Sequence, residues 1–168
     1  MPQPSTPSAR AETSPPTDTS PYASSPDFAV FCQSRRARYE EYARLRTGDR
    51  VLGVETVGAT FVSLARQWQH ILRGSSPAAD AWHMLGLAVE AVGTDPASES
   101  TEEALYDALP TREADAVSLH YLLGMTLTSA ADLMGAEAST VAAHLLTAER
   151  TLPTHLVRTL ERRPSTRG

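Results

Sequence analysis

The spacing of large apolar side chains between residues 51 and 71 constrains the fold most. Val51, Val54, Val57, Phe61, Leu64, Trp68 and Ile71 recur at three- and four-residue steps. That is the period of one face of an α-helix, held for about six turns. No part of the chain shows the two-residue alternation of a half-buried strand. The expectation is an all-α protein.

Helices on either side follow from their punctuation. A helix begins near Asp27, with Phe28, Phe31, Arg35, Tyr39 and Tyr42 on one side and Arg36, Glu40, Glu41 and Arg44 on the other. It breaks at Gly48 in the "RTGD" turn. After Gly74, Ser76 is placed to cap a third helix and Pro77 stands at its first position, where no amide hydrogen is needed. Trp82, Leu85, Val89 and Val92 make the inner face of that helix. "GTDPASES" has the composition of a linker and divides two helical units. In the second unit a short helix over 102–108 stops at Leu109-Pro110. A helix from Thr111 carries Val117 and Tyr121 inward, and "GMT" turns the chain. Helix 128–134 ends at Gly135, and a last helix starts near Ser139. The segments are therefore a Pro/Ser/Thr-rich disordered tail (1–26), a three-helix unit (27–92), a linker (93–101), a second helical unit (102–156) and a basic C-terminal tail (157–168). The N-terminal tail holds seven of the twelve prolines and cannot bury a core. Inert tail is the simpler reading, a docking or phosphorylation segment the other.

The 168 residues suffice for one domain or two small ones. No run of about 18 apolar residues spans a membrane, and no basic-then-apolar leader stands at the N-terminus. Cys32, the single cysteine, can form neither an internal disulfide nor a zinc site. A cytoplasmic protein is expected. All fifteen basic residues are Arg, which fits GC-rich codon usage and carries no mechanism.

The net charge of −5 is unevenly spread. Residues 27–73 hold eight Arg against five acids, residues 95–150 ten acids against two Arg, and residues 151–168 four Arg against one Glu. Such asymmetry bears on partners. The five histidines (70, 83, 120, 144 and 155) form no i,i+4 pair. No glycine-rich phosphate loop and no nucleophile elbow are present. Neither catalysis, nor a metal, nor a cofactor is expected.

"LMGAEASTVAAHLLTAER" (133–150) has the outline of a helix-turn-helix, and the chain around it resembles a known family. "YARLRTGDRVLGVETVGATFVSLARQW" resembles the core-binding segment of bacterial sigma factors of the sigma-70 family, extracytoplasmic-function type. "SPAADAW" resembles the start of the promoter-melting helix in actinobacterial members. "LYDALPTREADAVSLHYLLGMTLTSAADLMG" is similar to the family's region 4, and "TVAAH" (140–144) sits where its recognition helix begins. The similarity runs over residues 28–156. It implies two helical domains, one binding RNA polymerase core and the −10 element, the other reading the −35 element. By that resemblance Arg46, Asp49, Arg50, Glu55 and Phe61 are the candidates for core-polymerase binding. Ser139, Thr140, Ala142, Ala143, His144, Thr147 and Arg150 are those for DNA.

The chemistry of the last helix departs from that pattern. On a helical wheel Val141, Leu145, Ala148 and Leu152 share the inner face. The outer face carries Ser139, Ala142, Ala143, Leu146, Thr147 and Arg150. Duplex DNA carries a negative charge roughly every 1.7 Å, and phosphate contacts come mainly from Arg, Lys and small polar groups. Glu137 stands where the family has a Ser or Thr cap, and Gly58 where it has Gln. Gly86 and Ala88 occupy places the family often makes basic. Two functions follow: a sigma-factor-like transcription protein that binds RNA polymerase core and, weakly, promoter DNA, or a sigma-like adaptor that has left promoter binding for a regulatory protein partner.

Overall fold

The computed structural model describes residues 25–93 and 100–162. Most of the N-terminal tail, linker residues 94–99 and the last six residues lie outside this range, as do the readings made of them. Among the described residues there are eight α-helices and no strand: α1 (Pro26–Thr47), α2 (Arg50–Ile71), α3 (Pro77–Val92), α4 (Thr101–Ala108), α5 (Thr111–Val117), α6 (Leu127–Met134), α7 (Ala138–Thr151) and α8 (Thr154–Glu161).

The first three helices follow from local chemistry. Gly48 closes α1 in the left-handed conformation, and the Asp49 carboxylate accepts from the amides of Val51 and Leu52 to open α2. Ser76 Oγ accepts from Ala79 N, with Pro77 behind it, to open α3. Phe28 and Phe31 pack on Trp68, with ring centroids 5.0 and 4.9 Å away, so α1 and α2 run antiparallel. Near their joining turn the two backbones almost touch. A Cβ on Gly53 would lie 2.7 Å from Arg44 N, so only glycine fits there. Trp82 of α3 closes the unit against Tyr39 and Tyr42.

The burial pattern departs from the sequence reading at helix ends. Val57, Phe61, Leu64, Trp68 and Ile71 are buried, whereas Val51 and Val54 are exposed, as is Val92 at the end of α3. Farther along α2, Phe61 packs on Tyr39 of α1 and Trp68 on Phe28 and Phe31. Nearer the turn, Gly53 and Thr56 are the buried positions, Gly53 against the α1 backbone at Arg44.

The second unit wraps α7 against α5 and α6. After Val117, α5 widens into a π-type turn over Ser118–Leu122, with Leu123 N donating to Ser118 O. This leaves Tyr121 at the rim, where its hydroxyl donates to Glu149 on α7. Residues 157–161 are not a tail. They belong to α8, whose Leu156 and Leu160 are buried by the unit.

The buried residues of the two units are contiguous. Ser76 Oγ donates to Gly135 O, and Arg35 Nη2 donates to the carbonyl and carboxylate of Asp132. The turn of the helix-turn-helix sits directly on the start of α3. Gly135 has φ +65°, and a Cβ there would run into the Ala78–Ala79 backbone. The turn conformation and the close approach both demand glycine.

Candidate nucleic-acid and partner interface

α7 is the second helix of a helix-turn-helix. Gly135 ends α6 in the left-handed conformation, and Glu137 stands at the N-cap of α7 without a side-chain hydrogen bond to it. Val141, Leu145 and Ala148 are buried, and Leu152 closes the same face. Ser139, Thr140, Ala143, Thr147 and Arg150 are exposed, Ala142 is half-buried, and Leu146 is 54% exposed. Arg150 is the only Arg or Lys on the helix. Thr147 Oγ1 donates back to Ala143 O, so its hydroxyl hydrogen is engaged within the helix.

His144 does not belong to that free face. Its Nδ1 lies 3.0 Å from Glu113 Oε1 of α5. Together with Thr140 it lines a cleft of about 410 Å³ whose other wall is α3, through Trp82, His83, Leu87 and Glu90.

The residues proposed for core binding divide by burial. Arg50 and Glu55 are exposed, next to the exposed Val51 and Val54. Asp49 is occupied in capping α2. Phe61 is fully buried against Tyr39, with the Arg36 guanidinium over its ring, and has no surface to offer a partner. Arg46 is turned inward. Its guanidinium lies 3.5 Å from the centre of the Tyr106 ring and pairs with Glu102 at 3.6 Å.

Arg46 leads to a group absent from the sequence reading. Asp115 of α5 is 4% exposed and gathers four partners from three other helices. Tyr42 and Tyr106 hydroxyls donate to Oδ1 at 2.7 and 2.6 Å, Trp82 Nε1 donates to Oδ2 at 3.0 Å, and Arg46 Nη1 stands 3.9 Å away. Burial pushes the Asp115 carboxyl above its ordinary value, against the pull of the three hydrogen bonds and of Arg46. Burial likewise raises the Tyr42 and Tyr106 hydroxyls, which stay protonated and donate. Glu102 is pushed by burial up to about 8, although Arg46 and Arg44 pull it down. Its Oε1 is buried without a hydrogen bond. One signal could have pointed to this cluster: an acid, Asp115, set among the small apolar Ala114, Ala116 and Val117.

Arg35 and Arg46, from the basic N-terminal unit, thus spend their charge on Asp132, Glu102 and Asp115 of the acidic second unit. Arg36 and Arg38 pair within α1, with Glu40 and Glu41. Among the described residues no group of three His, Cys, Asp or Glu side chains could hold a metal, and no helix is long and apolar enough to cross a membrane.

The family profile described as "Sigma-70, region 4" matches residues 103–152, from α4 through the last residue of α7 and into the turn after it. No curated protein sequence matches the chain. A chain of the RsbN–BldN complex, solved at 1.8 Å, is similar at 18% identity with a TM-score of 0.35, over 79% of this chain and 90% of that one. Over residues 103–152 the helix-turn-helix unit is thus similar to region 4 of the sigma-70 family.

Proposed function

We propose that this chain is a sigma-factor-like transcription protein of extracytoplasmic-function type, binding RNA polymerase core through its first unit and promoter DNA, weakly, through α7. The region 4 match carries this reading. The start of α2 supports it. There Val51, Leu52 and Val54 are exposed beside Arg50 and Glu55, on the segment whose sequence resembles the family's core-binding helix. Large apolar groups left in water beside charged ones are the composition of a protein contact. On this reading the protein is cytoplasmic. Affinity purification from the native organism, scored for polymerase subunits, tests it: they are expected in the eluate, and their absence rules the reading out.

A second reading rests on the surface of α7. Leu146, Ala143 and Thr147 dominate what it exposes, with a single Arg at its far end. That surface suits an adaptor which has exchanged promoter contact for a regulatory protein partner. Such a chain would bring down that partner and no polymerase.

A further inference from the structure

We infer that the cleft between α1 and the start of α6 is a binding site for a small phosphate monoester, with Arg35 and Arg38 as its cationic wall and Thr128 and Ser129 as its hydroxyl wall. The inference does not depend on how the chain meets polymerase or DNA.

The two walls come from the two units. Arg35 and Arg38 are three residues apart on α1 and share one face of it. Across from them stand the turn at Gly124 and the first residues of α6. The cleft between measures about 480 Å³. Sites for small molecules run from about 300 to 1,000 Å³.

Arg35 is held in place with donor capacity left. Its guanidinium lies 4.5 Å from the centre of the Phe31 ring, and its side chain is 14% exposed. Its hydrogen bonds to Ser34 Oγ, Asp132 O and Asp132 Oδ1 are 3.3, 3.3 and 3.4 Å long. Charge-assisted bonds usually close to about 2.7–2.9 Å. Its Nε is buried and makes no hydrogen bond. Arg38 pairs with Glu41 in the open, and such surface pairs are easily exchanged. On the facing wall the Thr126 hydroxyl donates to Ser129 Oγ, which leaves the Ser129 hydrogen for another acceptor. The Thr128 hydroxyl is exposed beside it.

Guanidiniums on one side and hydroxyls on the other suit an anion with three terminal oxygens. A carboxylate has two, and one guanidinium fork satisfies it. A dianion also competes better with Asp132, the carboxylate that lines the cleft and holds Arg35. A phosphate group alone fills a minor part of the volume. Met125 and Leu133 make part of the lining apolar, which suits an organic substituent.

The test is a titration of the nitrogen-15-labelled full chain with inorganic phosphate and with phenyl phosphate, at ionic strength held constant with chloride, followed by amide resonances. Both should give saturable shifts at Thr128 and Ser129, with phenyl phosphate the tighter. Arg38→Gln should weaken binding at least about fivefold, the loss of one charge-assisted bond. Arg36→Gln removes the same charge from the same helix outside the cleft and should change nothing. Asp132→Asn, at a side chain 74% exposed, removes the competitor for Arg35 and should tighten binding about twofold or more. Shifts that chloride reproduces, equal weakening by Arg36→Gln and Arg38→Gln, or phenyl phosphate no tighter than phosphate overturns the site. A phosphoryl group esterified to Ser129 would present the same chemistry. The intact mass of the protein from the native organism separates the sources: an unmodified chain is expected, and a phosphorylated Ser129 overturns the free ligand.

Discussion

Tyr42 and Asp115, 73 residues apart in the chain, meet at 2.7 Å, hydroxyl to carboxylate, in the interior. With the pairs Arg35–Asp132 and Arg46–Glu102 it ties the first helix to the second unit, and the stability of the whole chain should depend on it. Tyr42→Phe and Asp115→Asn should each destabilise the protein. Their effects should be coupled by about 1.5–3 kcal/mol, the usual worth of a hydrogen bond to a charged group. Chemical denaturation of the two single variants and the double gives the coupling; strictly additive effects would show that the bond contributes nothing.

Glu102 sets a pH dependence. Its folded value, about 8, lies above the ordinary 4.5 because burial disfavours the charged form. A group raised in the folded state stabilises fully below its unfolded value, and that stability is lost as pH climbs through the folded one. Asp115 is shifted the same way. Melting temperature should therefore fall between about pH 4.5 and 8, and Glu102→Gln should flatten the slope. A melting temperature that rises across this window in the parent contradicts the burial argument.

Gly135→Ala should be costly twice over. The left-handed backbone alone disfavours a Cβ by about 1–2 kcal/mol. The Ala79 backbone occupies the space the methyl needs. A fall in melting temperature of at least about 3 °C is expected for a chain of this size. A neutral result would mean that the turn does not rest on α3 in solution.

On DNA, α7 should behave as its charge dictates. With Arg150 as its one Arg, the full chain should bind duplex with a dissociation constant of about 10⁻⁴ M or weaker at physiological salt. The logarithmic salt slope should be near −1, about −0.9 per phosphate neutralised. Ala142→Arg with Leu146→Arg should steepen that slope to about −3. Tight, sequence-selective binding by the unaltered chain would show that Ser139, Thr140 and Thr147 read bases in spite of the missing cations.

Much of this architecture was legible in the sequence because local chemistry decides it. The cap at Ser76 with Pro77, the breaks at Gly48 and Gly135, and the buried stripe Val141, Leu145, Ala148 and Leu152 all follow from rules that act within one or two turns. What escaped was set by contacts between distant segments. Val51 and Val54 continue the apolar period of α2 and are nonetheless exposed, because which turns are covered is decided by neighbouring helices, which periodicity within α2 does not encode. α8 follows Pro153, and its Leu156 and Leu160 are too few to announce a helix without the unit that buries them. The charge asymmetry was visible and pointed to partners outside the chain. Part of it is instead satisfied within, by Arg35 on Asp132 and by Arg46 on Glu102 and Asp115. Of the candidate site residues, burial removes Phe61 and turns Arg46 inward, capping occupies Asp49, and Glu113 holds His144. None of these relations is visible from spacing alone.

Engagement of polymerase through the start of α2 is measured by titrating fluorescently labelled protein with purified RNA polymerase core and following anisotropy. Saturable binding is expected, weakened at least tenfold by Val54→Asp with Glu55→Arg, both exposed and outside the shared core. No binding by the unaltered chain at any polymerase concentration, or binding indifferent to that double substitution, would contradict the account.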